Sequence, residues 1–474
     1  VLIRSLLVLS LVCNPLAAAD LPDLGEVSRQ YFSDQDEQIL SRTIMRDVYA
    51  DPQYLDDPQI EAYLENLGYR LVSVSSKNQH DFNFFVIHDP TINAFALPGG
   101  NIGVHTGLLL AAQNESELAG VLAHEISHIA QNHLARMVAA QSQSYWPTLA
   151  GLALALLAAR SNPNAAGAAI ASTQALAVQN QLNYTREYER EADRVGYETM
   201  TRAGFDPHGM ASFFTRLQRA NRLSDDNAPA YLRTHPLTSE RIADMDARVE
   251  SAPYLQVPDS LDFQLLRMRL RAADGTPQEA VTLYRSELRD KRYHLASAEH
   301  YGLALALLRA RDFVAAEAEV KTLAAMADAR SPMIAELAAQ SATAAGHYDL
   351  ALTRYRNGMA SYPGYRPLLY GYTDCLLKAD QAQQGARFVD AQLDHWPNDR
   401  RLWRLSAQAH ARLGQQLQSH RALAEALALS GDLKAAIEQI NIGLKAGDGG
   451  FYEQSAAEAR RRNWMELDKA QRKS

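Results

Sequence analysis

Two histidines and a glutamate pose the chemical question. His124, Glu125 and His128 stand in the order His-Glu-Ile-Ser-His. In a helix, residues i and i+4 lie one above the other on the same face. Two imidazoles so placed can hold one Zn²⁺, and the intervening glutamate can serve as general base toward a water at the ion. The chemistry implied is hydrolysis. On a solvated helix the same residues would be no more than two surface histidines, so the flanks decide.

The flanks describe a buried helix from Asn114 to Met137. Asn114 with Glu117 three residues on reads as a capping box. Leu118, Val121, Leu122, Ile126 and Ile129, interspersed with Ala and Gly, make the helix apolar on most sides. Buried His and Glu need partners, and a metal serves both.

Other elements must position this helix. Ile39, Leu40, Ile44 and Val48 suggest one helix before it. Ile60, Tyr63, Leu64, Leu67 and Leu71 suggest a second. Phe82 to Ile87 and Ile92 to Leu97 read as strands, Pro98-Gly99-Gly100-Asn101 as a turn, and Ile102 to His105 as a third strand. An edge of this small sheet could take up an extended peptide. Downstream, Tyr184 to Met200 reads as a helix rich in carboxylates. Glu189 and Asp193 share one face; Glu187 and Glu191 share another. One pair could supply a third ligand and a carboxylate to orient a ligand histidine. Solvent exposure suits Glu187 and Glu191, but helix geometry alone does not separate the pairs. Thr234-His235-Pro236 reads as a turn or helix start, where a lone histidine is by default a surface residue.

A chain of 474 residues has room for two or three domains. Its net charge of −8 gives no support for nucleic-acid binding. Arg4, the apolar run Leu6 to Val12, and Leu16-Ala17-Ala18-Ala19-Asp20 read as a signal peptide cut after Ala19. Cleavage would leave Cys375 as the only cysteine, so an exported protein here would use no internal disulfide. Residues 141–180 are apolar and rich in Ala and Gly. Neither half reaches the ~18–20 residues of a spanning helix. They suit a pair of core helices, or a lid or membrane-dipping segment that would give peripheral membrane contact.

After a linker with Pro253 and Pro258, nearly everything reads as helix. Tyr362-Pro363 and Trp396-Pro397 stand 34 residues apart, as do Ala351 and Gly385. A 34-residue helix-turn-helix period is the tetratricopeptide signature, and stacked repeats build a groove suited to a partner protein.

Taken in order, Asn93-Ala94-Phe95-Ala96-Leu97-Pro98-Gly99-Gly100, His124-Glu125-Ile126-Ser127-His128, Glu189-Arg190-Glu191-Ala192-Asp193 and Thr234-His235-Pro236 resemble the gluzincin peptidase family of HtpX and the CAAX prenyl endopeptidase. The resemblance covers residues 35–250 through these motifs and the remainder only in architecture. It implies Glu189 as the third zinc ligand beside His124 and His128, with one Zn²⁺ per chain. It implies Glu125 as catalytic base and Asp193 as proton donor or partner of a ligand histidine. His235 matches a histidine that can sit near the metal, and Arg241 is a candidate for polarising a substrate carbonyl. Asn93, Ala94 and Phe95 are the candidates for a substrate-binding strand.

The expectation is a mainly α (α+β) protein. A signal peptide (1–19) precedes a metalloprotease domain with a small sheet (20–250), a linker (251–261) and a tetratricopeptide α-solenoid (262–474). With export and repeats, the resemblance implies a periplasmic zinc endopeptidase concerned with outer-membrane β-barrel proteins. Its partners would be unfolded or misassembled envelope proteins, β-barrel precursors and the barrel-assembly machinery. The rival is a chaperone or assembly adaptor with a largely latent metal site.

Overall fold

The computed structural model describes residues 33–75, 81–140, 186–223, 230–253 and 255–471. The expected signal peptide and the 141–180 segment lie outside these residues.

The chain enters through α1 (Asp34–Ala50), whose first turn is closed by a reciprocal Ser33–Asp36 capping box. Helix α2 (Pro58–Val72) starts on Asp57, which accepts from Gln59 and Ile60 amides, with Pro58 at its first position. The strands β1 (Asn83–Ile87), β2 (Ala94–Leu97) and β3 (Asn101–His105) form a sheet in the order β1-β3-β2. β1 runs parallel to the central β3, and β2 antiparallel to it. The β2–β3 turn uses Gly99 and Gly100, both at positive φ. At Gly100 a Cβ would lie 2.2 Å from the Asp81 carbonyl oxygen, so only glycine fits.

A short helix, α3 (Thr106–Ala111), leads into α4 (Glu115–Ala130), every residue of which is buried. Asn114 accepts from the Glu117 amide as expected of a cap. The Glu117 carboxylate reaches Gln113 and Arg216 instead of closing the box. The helix does not continue to Met137. Asn132 adopts a left-handed φ of 52°, and α5 (His133–Ala140) sets off in a new direction. Asn tolerates that conformation better than any residue but Gly.

Helix α6 (Arg186–Arg202) lies against α4, followed by α7 (His208–Leu223), the single turn α8 (Ala230–Thr234) and α9 (Ser239–Glu250). One core unites α2, the sheet, α4, α7 and α9, and it also takes in Phe263, Leu266 and Leu270 from the first helix after the linker. Among the described residues no helix is long and apolar enough to cross a membrane.

From Leu261 to Gln471 the chain is a run of paired helices. The period is regular at its centre. Helices begin at Pro332, Arg366 and Arg400, and their partners at Tyr348, Ala382 and Gln416, each 34 residues after the last. This half docks on the first half. Asp57, Glu61 and Glu65 form one stripe down α2, and they meet Arg269, Arg401 and Arg366 of three different repeats. Arg400 lies over the Tyr49 ring at 3.9 Å. At the far end, Gln471 bonds Thr43 of α1.

Candidate metal centre and active site

The site is built where α4 and α6 come closest. At Gly196 a Cβ would lie 3.1 Å from the His124 amide nitrogen, so glycine lets the two backbones approach. That approach brings Glu189 and Asp193, one turn apart on α6, to the histidines of α4. Glu187 stays exposed.

His124 Nε2 and His128 Nε2 are 3.0 Å apart, and each lies 3.5 Å from an oxygen of Glu189. The segment following α8 adds His235, whose Nδ1 is 3.1 Å from Glu189 Oε1 and 3.4 Å from His124 Nε2. One donor atom from each of these four buried residues falls within 4.8 Å of all the others. His124 Nδ1 lies 3.0 Å from Asp193 Oδ1. With a metal bound, that ring would keep its proton on Nδ1, toward Asp193, and turn the Nε2 lone pair inward. Inward lone pairs and a carboxylate converging in a dry pocket need a cation. Imidazole nitrogens with one carboxylate are a donor set of the kind zinc takes. The residues fit a metal, and the chain has a metal-binding His/Glu site.

Arg241 of α9 is buried behind the pocket. It grips Asp193 with two bonds, Nε to Oδ2 at 2.6 Å and Nη2 to Oδ1 at 2.7 Å. Its Nη1 reaches Glu189 Oε2 and the Pro236 carbonyl, both at 2.8 Å. The structure thus turns Arg241 toward the ligand carboxylates; polarising a substrate carbonyl would require these contacts to loosen.

Burial dominates the electrostatics. It raises the Glu125 carboxyl above its ordinary range, and the neighbouring His235 and His124 only partly offset this. For Glu189 burial pulls the same way, but His235, His124 and Arg241 overcome it and hold that carboxylate well below its usual range. Arg241 and His124 do the same for Asp193. The two kinds of carboxylate are pushed apart, one toward taking and giving a proton, the others toward permanent charge.

β2 forms the other wall. His105 donates to the Asn93 carbonyl, so Asn93, Phe95 and Leu97 pair with β3 while Ile92, Ala94 and Ala96 turn their backbone groups outward. Of the three strand candidates, Ala94 therefore faces the free edge. Asn93 offers a buried side-chain oxygen that no described residue satisfies. Phe95 packs edge-on to His105. The Ala96 backbone faces Glu125, whose two carboxyl oxygens are buried and accept no hydrogen bond from the described residues. A groove of about 30 Å³ lies between Ala96–Pro98 and the α4–α5 junction at His128, Asn132 and Leu134. The Tyr231 amide of α8 already bonds the outward Ile92 carbonyl, and its ring stacks on His235 at 4.7 Å.

Sequence reasoning passed over His133, Tyr231 and Ala96. His133 Nδ1 lies 2.9 Å from His128 Nδ1. In a continuous helix, five residues turn a side chain about 140° away, so its proximity depends on the Asn132 break. Tyr231 stands four residues before His235 on one turn, a spacing that was open to notice. The turn of Ala96 toward Glu125 follows from strand alternation once the register is known.

Comparison with known proteins agrees with this geometry. The profile of peptidase family M48 matches residues 57–249, and a tetratricopeptide repeat profile matches 342–409. The chain is 34% identical over 456 residues to a putative beta-barrel assembly-enhancing protease of Vibrio cholerae, covering 92% of this chain and 91% of that one. It is 32% identical over 449 residues to the beta-barrel assembly-enhancing protease of Escherichia coli K12, covering 94% and 91%. The mitochondrial metalloendopeptidase OMA1 of Schizosaccharomyces pombe is 33% identical over 181 residues, 38% of this chain and 50% of that one.

Proposed function

The chain belongs to the family of the beta-barrel assembly-enhancing proteases, and on that premise we propose that it is a periplasmic zinc endopeptidase acting on outer-membrane β-barrel proteins during their assembly. The clients are unfolded or misassembled barrel precursors, met together with the barrel-assembly machinery through the repeat half. The observation that carries the reading is the convergence of buried His124, His128, Glu189 and His235 beside a carboxyl, Glu125, that burial raises.

His124, His128 and Glu189 would hold one zinc ion, which supplies an activated water and a polarised scissile carbonyl. Glu125 takes the proton of the attacking water and delivers it to the leaving nitrogen. Asp193, fixed by Arg241, orients His124. The outward backbone groups of Ala94 and Ala96, with the Asn93 side chain, receive the client as an added strand. In the resting enzyme His235 would be a fourth donor beside these three residues, and α8 lies on the strand edge at Ile92. Client binding displaces both.

That same occupancy favours the rival reading, an assembly adaptor whose metal site is latent. The test is Glu125→Gln against wild type, scored for client turnover and client binding, with His235→Ala alongside. We expect turnover to fall about 10²–10⁴-fold in Glu125→Gln, with binding and metal content kept. Absence of turnover in both wild type and His235→Ala would establish the latent reading instead.

A further inference from the structure

The two ligand histidines are supported differently. His124 leans directly on a carboxylate, Asp193, at 3.0 Å. Among the described residues, what stands at the outer nitrogen of His128 is not a carboxylate but His133, Nδ1 to Nδ1, at 2.9 Å. Behind it, His133 Nε2 lies 3.3 Å from Glu191 Oε2, and Arg136 Nη1 holds the same oxygen at 2.9 Å. The Tyr188 ring stacks on His133 at 4.8 Å and 20°, and the Arg136 guanidinium covers the outer face of Tyr188 at 4.7 Å. His133 is fully buried, while Glu191 is half-buried.

Only one arrangement of protons satisfies this chain when His128 serves as a ligand. Its Nε2 faces the cluster and must be bare, so its proton sits on Nδ1 and is donated to His133. His133 must accept there through a bare Nδ1. Its own proton then sits on Nε2 and is donated to Glu191. Each nitrogen has one role, and the series ends on a carboxylate neutralised by Arg136.

We propose that His133 is a positioning residue for the metal site, relaying the Glu191 carboxylate to His128 and so fixing that ligand's tautomer and orientation. It gives His128, through one intervening imidazole, what Asp193 gives His124 directly. The inference rests on the metallopeptidase reading, and it assigns Glu191 a part that a solvated helix face would not have. The left-handed turn at Asn132 serves the relay, because it returns His133 to His128.

The test uses the full chain with two substitutions. His133→Phe keeps a ring against Tyr188 and removes both nitrogens. His133→Asn places an amide oxygen near the Nδ1 position, where it can accept from His128. Zinc affinity is measured by competition with a chelator, the visible spectrum is recorded with cobalt(II) in place of zinc, and metal-free forms are melted to check the fold. We expect His133→Phe to bind zinc about 10–100-fold more weakly, with an altered cobalt spectrum and an unchanged metal-free melting curve. His133→Asn should recover most of the affinity and the wild-type spectrum. Two results overturn the relay: wild-type affinity in His133→Phe, or equal losses in both variants with a matching drop in metal-free melting. A wild-type chain that binds no zinc would overturn the metallopeptidase reading, and the relay with it.

Discussion

The two halves handle buried polarity in opposite ways. In the catalytic half, buried polar side chains converge on one point: His124, His128, Glu189 and His235 gather their donor atoms within 4.8 Å, and Asp193 and Arg241 close in behind His124 and Glu189. In the repeat half, cores are built from Ala, Leu and Tyr, and the polar pairs are spread out, some between neighbouring repeats, as with Arg354 against Glu317, and others along the joint with the first half, as with Glu336 against Gln59 and Arg366 against Glu65. A converging cluster concentrates function, so single substitutions should abolish activity while leaving the fold. A dispersed docking face shares its energy among many pairs, so single substitutions there should weaken the joint and leave the chemistry.

The largest effect expected is at Glu189. Glu189→Ala removes a ligand and leaves Arg241 facing an emptied pocket. We expect metal content to fall to background and activity with it. Glu187→Ala, two residues away on the exposed side of the same helix, should match wild type in both. Metal analysis by mass spectrometry, with a peptidase assay, decides. Full zinc in Glu189→Ala would break the idea that the cluster converges on a metal.

The docking face should respond more mildly. Arg401 bonds Glu61 and Asp56 across the joint, while Arg269 and Arg366 hold the neighbouring acids of α2. Arg401→Ala should destabilise the joint by about 1–3 kcal/mol, less than a fully buried pair because Asp56 is part-exposed. A double-mutant cycle with Glu61→Ala in urea unfolding measures the coupling. Zero coupling would mean that this pair is incidental to the joint, and that its stability rests on other contacts such as the packing of Phe263, Leu266 and Leu270.

Legibility followed the same division. The metal histidines were readable because i and i+4 fix a face whatever the surroundings. The strands and turn were readable from β-branched and aromatic runs closed by Gly99-Gly100, and the 34-residue period from Tyr-Pro and Trp-Pro. What sequence did not carry was contact between distant segments. Helical spacing gave Glu187–Glu191 and Glu189–Asp193 equal standing; the family resemblance chose Glu189, and the physical reason, the packing of α6 on α4 through Gly196, is visible only in the fold. The single helix to Met137 failed at Asn132, because left-handed Asn is a local conformation that composition does not announce. The stripe Asp57, Glu61, Glu65 reads as a solvated face until the repeats arrive to cover it.

What most sharpens the comparison is a pH dependence of the joint. Glu336 of the repeat half is buried and bonds the side-chain amide of Gln59 on α2. Gln59 also accepts from Tyr301 at 3.0 Å, and Asp57 beside it is paired with Arg269 at 2.7 Å. Burial raises the Glu336 carboxyl from its ordinary 4.5 to about 7; Arg269 pulls the other way, and Asp57 adds to the rise. The folded state therefore keeps a proton that the unfolded chain has lost between pH 4.5 and about 7. In that window folding takes up a proton, so stability is full below pH 4.5, declines as pH rises, and levels off above about 7. The decline from this one group is on the order of 3 kcal/mol. Glu299, buried elsewhere in the repeats and also raised to about 7, adds a decline of its own, so the informative quantity is a difference. Glu336→Gln should equal wild type near pH 5 and be the more stable of the two near pH 8. Urea unfolding of both proteins at pH 5, 6, 7 and 8 reads the gap directly. Parallel curves across that range would show that Glu336 is ionised in the folded protein, and that the docking face tolerates a buried charge as the metal site does.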